Sequence, residues 1–244
     1  MKPVFGAPLL ALLDRVAASE ASVLIRGESG VGKHGFAREI HRRSPRHEHP
    51  FVKVTCAAVA SPPAVFESAH RGTLLLDEAA DMPVDLQARL LQVLEDRQVA
   101  RPGAAPVDVD VRVMATTQQD LERLVREGRF RADVYYRLQI FDILIPPLRE
   151  RRDEIAGLAR RFVEEHSRQY QRAPIVLGTD TVEALERHSW PGNIRELENL
   201  MRRLVILQDE PAIRRDLSRD SSFHVITPRS VSVMRATHAR RAGR

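Results

Sequence analysis

The chain has 244 residues, 43% hydrophobic and 29% charged, with a formal net charge of +5 and one cysteine, Cys56. That supplies core for one mid-sized domain and a small one. No apolar run approaches membrane-spanning length, and a single cysteine excludes an intrachain disulfide and suits a reducing cytoplasm. The charge is uneven: residues 214–244 carry eight arginines and two aspartates, while the rest holds 30 basic and 31 acidic residues. A basic tail can touch nucleic acid or acidic lipid; the plainer reading is a solvated, disordered end. The opening MKPVFGAPLL lacks the regions of a signal peptide.

In chain order, the first helix is predicted over Leu9–Ala18, from the stripe Leu9, Leu12, Leu13 and Val16. Strand SVLIR follows, then the loop GESGVGKHG and a helix over Phe36–Arg43. HRRSPRHEHP reads as a loop, and FVKVT (Phe51–Thr55) and TLLLD (Thr73–Asp77) as strands. Between them, seventeen residues exceed the dozen or so that a parallel crossover needs, and a short helix over Pro63–Ala69 would bridge them. Pro83 opens a helix with Leu86, Leu90, Leu91 and Leu94 on one face. A fourth strand is expected near Val109–Ala115, then helices over Asp120–Glu127 and Ala132–Leu138 and strand IFDILI.

PPLRERR breaks the pattern, and only helices follow: Asp153–His166, Thr179–Arg187 and Asn193–Leu207. The organisation is a parallel α/β domain over residues 1–147, a small α-helical domain over 148–208 and a loosely ordered basic tail over 209–244. The histidines His41, His47 and His49 read as loop residues without a metal partner, and Cys56 and Trp190 read as core.

Gly27, Glu28, Ser29, Gly30, Val31, Gly32 and Lys33 form G-x-x-x-x-G-K between a strand and a helix. The glycines let successive N–H groups turn toward phosphate oxygens, and the helix start adds positive potential. Lys33 would neutralise the β- and γ-phosphates. The alternative is a glycine turn with a surface lysine. His34 stands where Ser or Thr would ligate Mg²⁺, and imidazole is a poor magnesium ligand. Gly35 behind it costs the first helical turn roughly 0.5–1 kcal/mol relative to Ala. Asp77 and Glu78 end a buried strand, where a doubly wound sheet forms its ligand crevice. Asp77 would hold Mg²⁺ through water and Glu78 would polarise an attacking water; otherwise the two acids cap a turn.

GESGVGK, CAA, GTLLLDEAADMP, LQARLLQVLED, FRADVYYRL, IPPLRERRDEI and WPGNIRELEN together resemble the central AAA+ ATPase domain of bacterial enhancer-binding proteins, the NtrC-like activators of sigma-54 RNA polymerase. The resemblance spans about Phe5 to Leu207. It implies a P-loop AAA+ parallel-sheet sandwich with an α-helical lid, ATP and Mg²⁺ as cofactors, and a cytoplasmic homo-oligomeric ring, usually a hexamer, with ATP hydrolysed between subunits. It assigns Lys33 to phosphate, Asp77 and Glu78 to the Walker B acids and Thr117 to the sensor I threonine. Gln118 stands where Asn is more usual. Arg131 and Arg137 match the arginine-finger positions; their spacing of six does not put them on one face of a continuous helix, so one is expected at the helix start, and the plainer reading is two surface arginines. Arg195 matches the sensor II arginine, in a first helical turn capped by an Asn193–Glu196 pair.

Three departures bear on output. The family's segment between CAA and GTLFLDE carries a GAFTGA loop that grips sigma-54; here SPPAVFESAHRGT leaves no room for it. Thr55 replaces an Asn that contacts the Walker B glutamate. No receiver pattern precedes the first helix and no helix-turn-helix pattern follows Leu207, so DNA recognition by the family's usual route is unsupported. The resemblance therefore implies an ATPase whose engagement of sigma-54 is not expected. The alternative is a nucleotide-binding regulatory module with little or no turnover, acting through protein contacts.

Overall fold

Alternation along the buried strands builds a core on both faces of one sheet. The computed structural model describes residues 7–59, 62–101 and 103–218. Five parallel strands lie in the order β2-β3-β6-β1-β7: β1 is Val23–Arg26, β2 Phe51–Thr55, β3 Thr73–Asp77, β6 Arg112–Thr117 and β7 Phe141–Leu144. Successive side chains of a strand leave opposite faces. Leu24, Leu74, Leu76 and Val113 therefore pack with Leu86 and Leu90 of α4 (Val84–Asp96) and Val134 and Leu138 of α6 (Ala132–Leu138). Val23, Ile25, Leu75 and Met114 pack the other way, with Leu13 and Val16 of α1 (Ala7–Ala17) and Phe36 and Ile40 of α2 (Lys33–Arg43). Every residue of β3 and β6 is buried, which explains why TLLLD reads as an unbroken apolar run. Each such leucine contributes about 1.5–3 kcal/mol over an exposed one.

The β2–β3 crossover closes through a 3-10 turn at Cys56–Ala58 and α3 (Pro62–Ser68), one residue from the expected helix. Phe66 of α3 is buried in the core. At its end the Thr73 N–H donates to the Pro50 carbonyl (2.8 Å), and a Cβ on Gly72 would lie 2.0 Å from that oxygen, so only glycine fits.

Four features differ from expectation. α2 begins at Lys33 rather than Phe36 and extends through His41, which is not a loop residue: it is buried, with Nδ1 2.9 Å from Thr73 Oγ1. The VDVDVRVMATT run divides. Its start belongs to an antiparallel hairpin of β4 (Gln98–Arg101) and β5 (Ala104–Asp108), and β6 begins only at Arg112. α5 is Leu121–Arg126, with Asp120 as its N-cap. Residues 210–218, expected to be loosely ordered, form α10 (Glu210–Ser218), which buries Ile213.

That helix completes a second core. α7 (Arg152–Tyr170), α8 (Thr179–Arg187) and α9 (Asn193–Leu207) surround Ile155, Phe162, Leu185, Trp190, Leu197 and Met201. Trp190 is fully buried and its Nε1–H donates to the Leu185 carbonyl (2.8 Å). Cys56 is buried in the first core, and burial pushes its thiol up to about 12. The tail expected to be disordered lies, beyond Ser218, outside the described residues, as do Ser61 of the crossover and the first six residues. Among the described residues no helix is long and apolar enough to cross a membrane.

Candidate nucleotide site

The loop after β1 turns through three left-handed or otherwise positive φ values, at Gly27, Gly30 and Gly32, before α2 starts at Lys33. Gly30 is also a point of close approach, since a Cβ there would lie 2.3 Å from the Gly192 carbonyl of the lid. Val31 faces inward and is buried with the α1–α2 core, while Ser29 is exposed at the loop's crest. Lys33 is buried. Its ammonium donates to the Gly27 (2.8 Å) and Glu28 (3.2 Å) carbonyls and lies 3.5 Å from Glu78 Oε1. A cation bent back on its own loop, at a helix N-terminus, is positioned to exchange those carbonyls for phosphate oxygens.

Asp77 and Glu78 part company at the end of β3. Glu78 adopts a left-handed φ of 53°. Its N–H donates to Thr116 Oγ1 (3.2 Å), and its Oε2 accepts from the Gln118 N–H (3.2 Å), so the carboxylate spans the phosphate-loop lysine and the end of β6. Thr117 does not join it. Its hydroxyl is turned into its own loop, donating to the Gln119 carbonyl and accepting from the Gln119 N–H. The neighbouring Thr116 takes the site-facing place, donating to Asp77 Oδ1 (2.7 Å). Strand alternation sends Thr116 and Thr117 to opposite faces, and the β3–β6 register, with Leu76 beside Ala115, sets Thr116 next to Asp77.

Asp77 is nearly enclosed. Oδ1 lies 2.5 Å from His34 Nε2 and accepts from Thr116, and Oδ2 lies 3.1 Å from Lys53 Nζ. Lys53 Nζ also lies 3.3 Å from His34 Nδ1. Burial pushes the Asp77 carboxyl up, but the bonds from His34, Thr116 and Lys53 outweigh it and hold it down to about 2. The expected magnesium site is not assembled here. Mg²⁺ takes oxygen ligands in a near-octahedral array. Here an imidazole stands where a hydroxyl ligand belongs, and both Asp77 oxygens are committed to N–H or O–H donors, one of them a cation. As placed, these residues do not fit the ion.

The lid closes the loop from above. Asn193 was expected to cap α9; instead Gly192 holds the cap position and its N–H donates to Glu196 Oε2 (2.8 Å). Fully buried Asn193 has a left-handed φ of 53° and joins three segments: Oδ1 accepts from Leu148 N–H (2.8 Å), and Nδ2 donates to Glu28 Oε2 and the Ser29 carbonyl (3.0 Å each). Glu28 also takes a two-pronged pair from Arg149 (2.6 and 2.9 Å), which holds its carboxyl below the usual range. Glu28 thus belongs to the seam with the lid. Arg195, in the first turn of α9, reaches Ser29 Oγ (3.3 Å). Lys33, His34, Glu78 and Arg195 line a cleft of about 200 Å³ between loop and lid.

Arg131 and Arg137 lie away from this cleft. Arg131 is the N-cap residue of α6, its N–H donating to Gln87 Oε1 (2.9 Å), and its exposed guanidinium pairs with Asp133 (2.7 Å). Arg137 is in the last turn, also exposed, 3.1 Å from Glu95. Both present their charge outward. The residues that sequence reasoning missed are Asn193 as a seam residue, Arg149, Thr116, Lys53 and Gln87. All act through partners distant in the chain, and only the β2 alternation, which sends Lys53 to the face of α2, carried a signal.

Two family profiles match the chain: the Sigma-54 interaction domain, over residues 7–65 and 61–144, and the AAA+ ATPase lid domain, over residues 149–222. The chain is 46% identical over 222 residues to the response regulator protein FleR of Pseudomonas aeruginosa, covering 82% of this chain and 47% of that protein. It is 41% identical over 261 residues to the DNA-binding transcriptional regulator NtrC of Salmonella typhimurium, covering 95% and 56%. NtrX from Brucella abortus, solved in complex with ADP, superposes with a TM-score of 0.78 at 38% identity, covering 84% of this chain and 51% of that one. The chain spans about half the length of the curated relatives it matches.

Proposed function

Since the chain belongs to the Sigma-54 interaction domain family and continues into an AAA+ lid, we propose that it binds ATP in the seam between phosphate loop and lid, as the nucleotide-binding part of a sigma-54-dependent regulator. The observation that carries this reading is the convergence of Lys33, Glu78 and Arg195 on one cleft, from the loop, the sheet and the lid. The ADP-bound relative NtrX supports it.

On this reading Lys33 leaves the Gly27 and Glu28 carbonyls to hold phosphate, and Arg195 meets the same phosphates from the lid side. Glu78, steadied by Lys33 and by the Gln118 N–H, orients the attacking water. Arg131 and Arg137 face outward and would serve a neighbouring subunit's nucleotide in a homo-oligomeric ring, stabilising charge on the transferred phosphoryl group. No step is routed through Mg²⁺, because Asp77 and His34 do not assemble its ligand set. A regulator of this family works in the cytoplasm, and sigma-54 polymerase is the partner the family name implies.

A second reading, a nucleotide-binding module with little turnover acting through protein contacts, is favoured by the enclosure of Asp77 and by the short β2–β3 crossover. Steady-state ATP hydrolysis measured as protein concentration rises, beside nucleotide binding at low concentration, separates the two. Turnover that climbs with concentration and disappears in Glu78→Gln and Arg131→Ala supports shared catalytic sites. Binding without turnover at any concentration supports the second.

A further inference from the structure

We infer that Lys53 and His34 take the place of a divalent cation in this phosphate site, so that the chain binds a nucleoside triphosphate without a metal. The inference rests on the nucleotide reading above and concerns the same cleft. The triad His34, Asp77 and Lys53 is closed on itself. Asp77 Oδ1 faces His34 Nε2 at 2.5 Å, Asp77 Oδ2 faces Lys53 Nζ at 3.1 Å, and Lys53 Nζ meets His34 Nδ1 at 3.3 Å. Three elements contribute one member each: α2, β3 and β2. Phe51, two residues before Lys53, packs on the α2 face of the sheet, and the alternation of β2 carries Lys53 to the same side.

A metal in such a site has two tasks, to neutralise phosphate charge and to fix the phosphates against the sheet. Lys53 supplies a positive charge that Asp77 holds in place, and about two-fifths of its side chain is exposed. His34 opens onto the cleft beside Lys33. A triphosphate seated on the loop therefore meets Lys33 on one side and the Lys53–His34 pair on the other. A magnesium ion brought in with it would have to displace Lys53 and the imidazole from Asp77, and then sit beside the ammonium it displaced.

Calorimetric titration of the full chain with ATP, in EDTA and in excess magnesium, tests this. The expected dissociation constants agree within about threefold, and Lys53→Met, at a partly exposed position, weakens binding in EDTA by about tenfold. An affinity that falls by about tenfold or more on going from magnesium to EDTA overturns the inference while leaving the nucleotide reading intact. So does an unchanged EDTA affinity in Lys53→Met. Absence of binding under both conditions, or equal binding by Lys33→Ala, overturns both.

Discussion

Asn193 of the lid holds Glu28 of the phosphate loop, Nδ2 to Oε2 at 3.0 Å, while its own Oδ1 accepts from the Leu148 N–H at the domain junction. One buried amide thus joins sheet domain, linker and lid. Its left-handed φ is one that Asn tolerates better than most residues. Asn193→Gly keeps that backbone without strain but leaves the Leu148 N–H and Ser29 carbonyl without their partner, and is expected to lose about 2–3 kcal/mol. Urea unfolding checks it. Asn193→Asp brings a second carboxylate to Glu28 and should separate lid from loop, with faster protease cleavage near residues 146–152. A midpoint unmoved in both variants would mean the amide bears no load.

The phosphate loop gives the second prediction. Lys33→Ala removes the cation that Glu78 faces across 3.5 Å and should reduce ATP affinity by at least about tenfold, since one charge-assisted contact contributes roughly 1.5–3 kcal/mol. Circular dichroism should remain that of the native chain, because α2 is held by Phe36 and Ile40 in the core rather than by the amine. Equal calorimetric affinity for both proteins would place the nucleotide elsewhere.

Shared catalytic sites make a prediction that single-chain sites do not. Arg131 and Arg137 are exposed and, among the described residues, pair with Asp133 and Glu95. If they serve a neighbour, then Arg131→Ala subunits mixed with Lys33→Ala subunits should regain part of the hydrolysis each lacks. Of the two kinds of mixed interface, one joins an intact loop to an intact arginine and the other lacks both, and such an arginine contributes about 10³-fold or more to rate. No recovery, with both variants folded and associated, would count against catalysis in trans.

Acid should find Asp77. Its carboxyl is held at about 2 against an ordinary 3.8, so the sign is that of a depressed acid. The stability it contributes is complete above about pH 4 and is lost as pH falls toward 2. Asp77→Asn should therefore show a flatter curve of stability against pH between 4 and 2 than the native chain, with the two curves converging below that range. Parallel curves across the window would mean that His34, Thr116 and Lys53 do not hold the carboxylate in solution.

Much of this was legible in the sequence because it is local. GESGVGK and TLLLDE each carry their strand, turn and charge within a few residues, and the all-helix lid declared itself by period. What escaped depends on distant partners. Asn193 and Glu196 have capping spacing, but Asn193 is drawn inward by Glu28, 165 positions earlier, and Gly192 takes its place as cap. Thr117 matched a motif position, while Thr116 does the bonding because the β3–β6 register, with Leu76 beside Ala115, brings it next to Asp77. The β4–β5 hairpin was hidden by its shortness, with strands of four and five residues. α10 was hidden because its single buried anchor, Ile213, is too little to make a period.

The last prediction concerns output. In the resembled family a protruding loop between the second and third strands engages sigma-54. In this chain that interval runs from the 3-10 turn at Cys56–Ala58 through α3 to Gly72, and Glu67 of α3 is tied to Arg101 of the adjoining hairpin by two bonds of 2.6 and 2.7 Å. The family match comes in two parts that overlap at residues 61–65, within this interval. The interval is spent on closing the fold: Phe66 is buried, and Gly72 lies against the Pro50 carbonyl. The chain is therefore expected not to drive open-complex formation by sigma-54 polymerase on its own, even where it hydrolyses ATP. A transcriptional effect would require another partner or mixed rings with a homologue that carries the loop. In vitro transcription from a sigma-54 promoter, with protein in excess so that weak DNA binding is no obstacle, should give no ATP-dependent transcript. Adding a complete homologue at fixed concentration should show this chain changing that homologue's output through mixed rings. A strong transcript from this chain alone would overturn the prediction and direct attention to the β4–β5 hairpin as the surface that makes the contact.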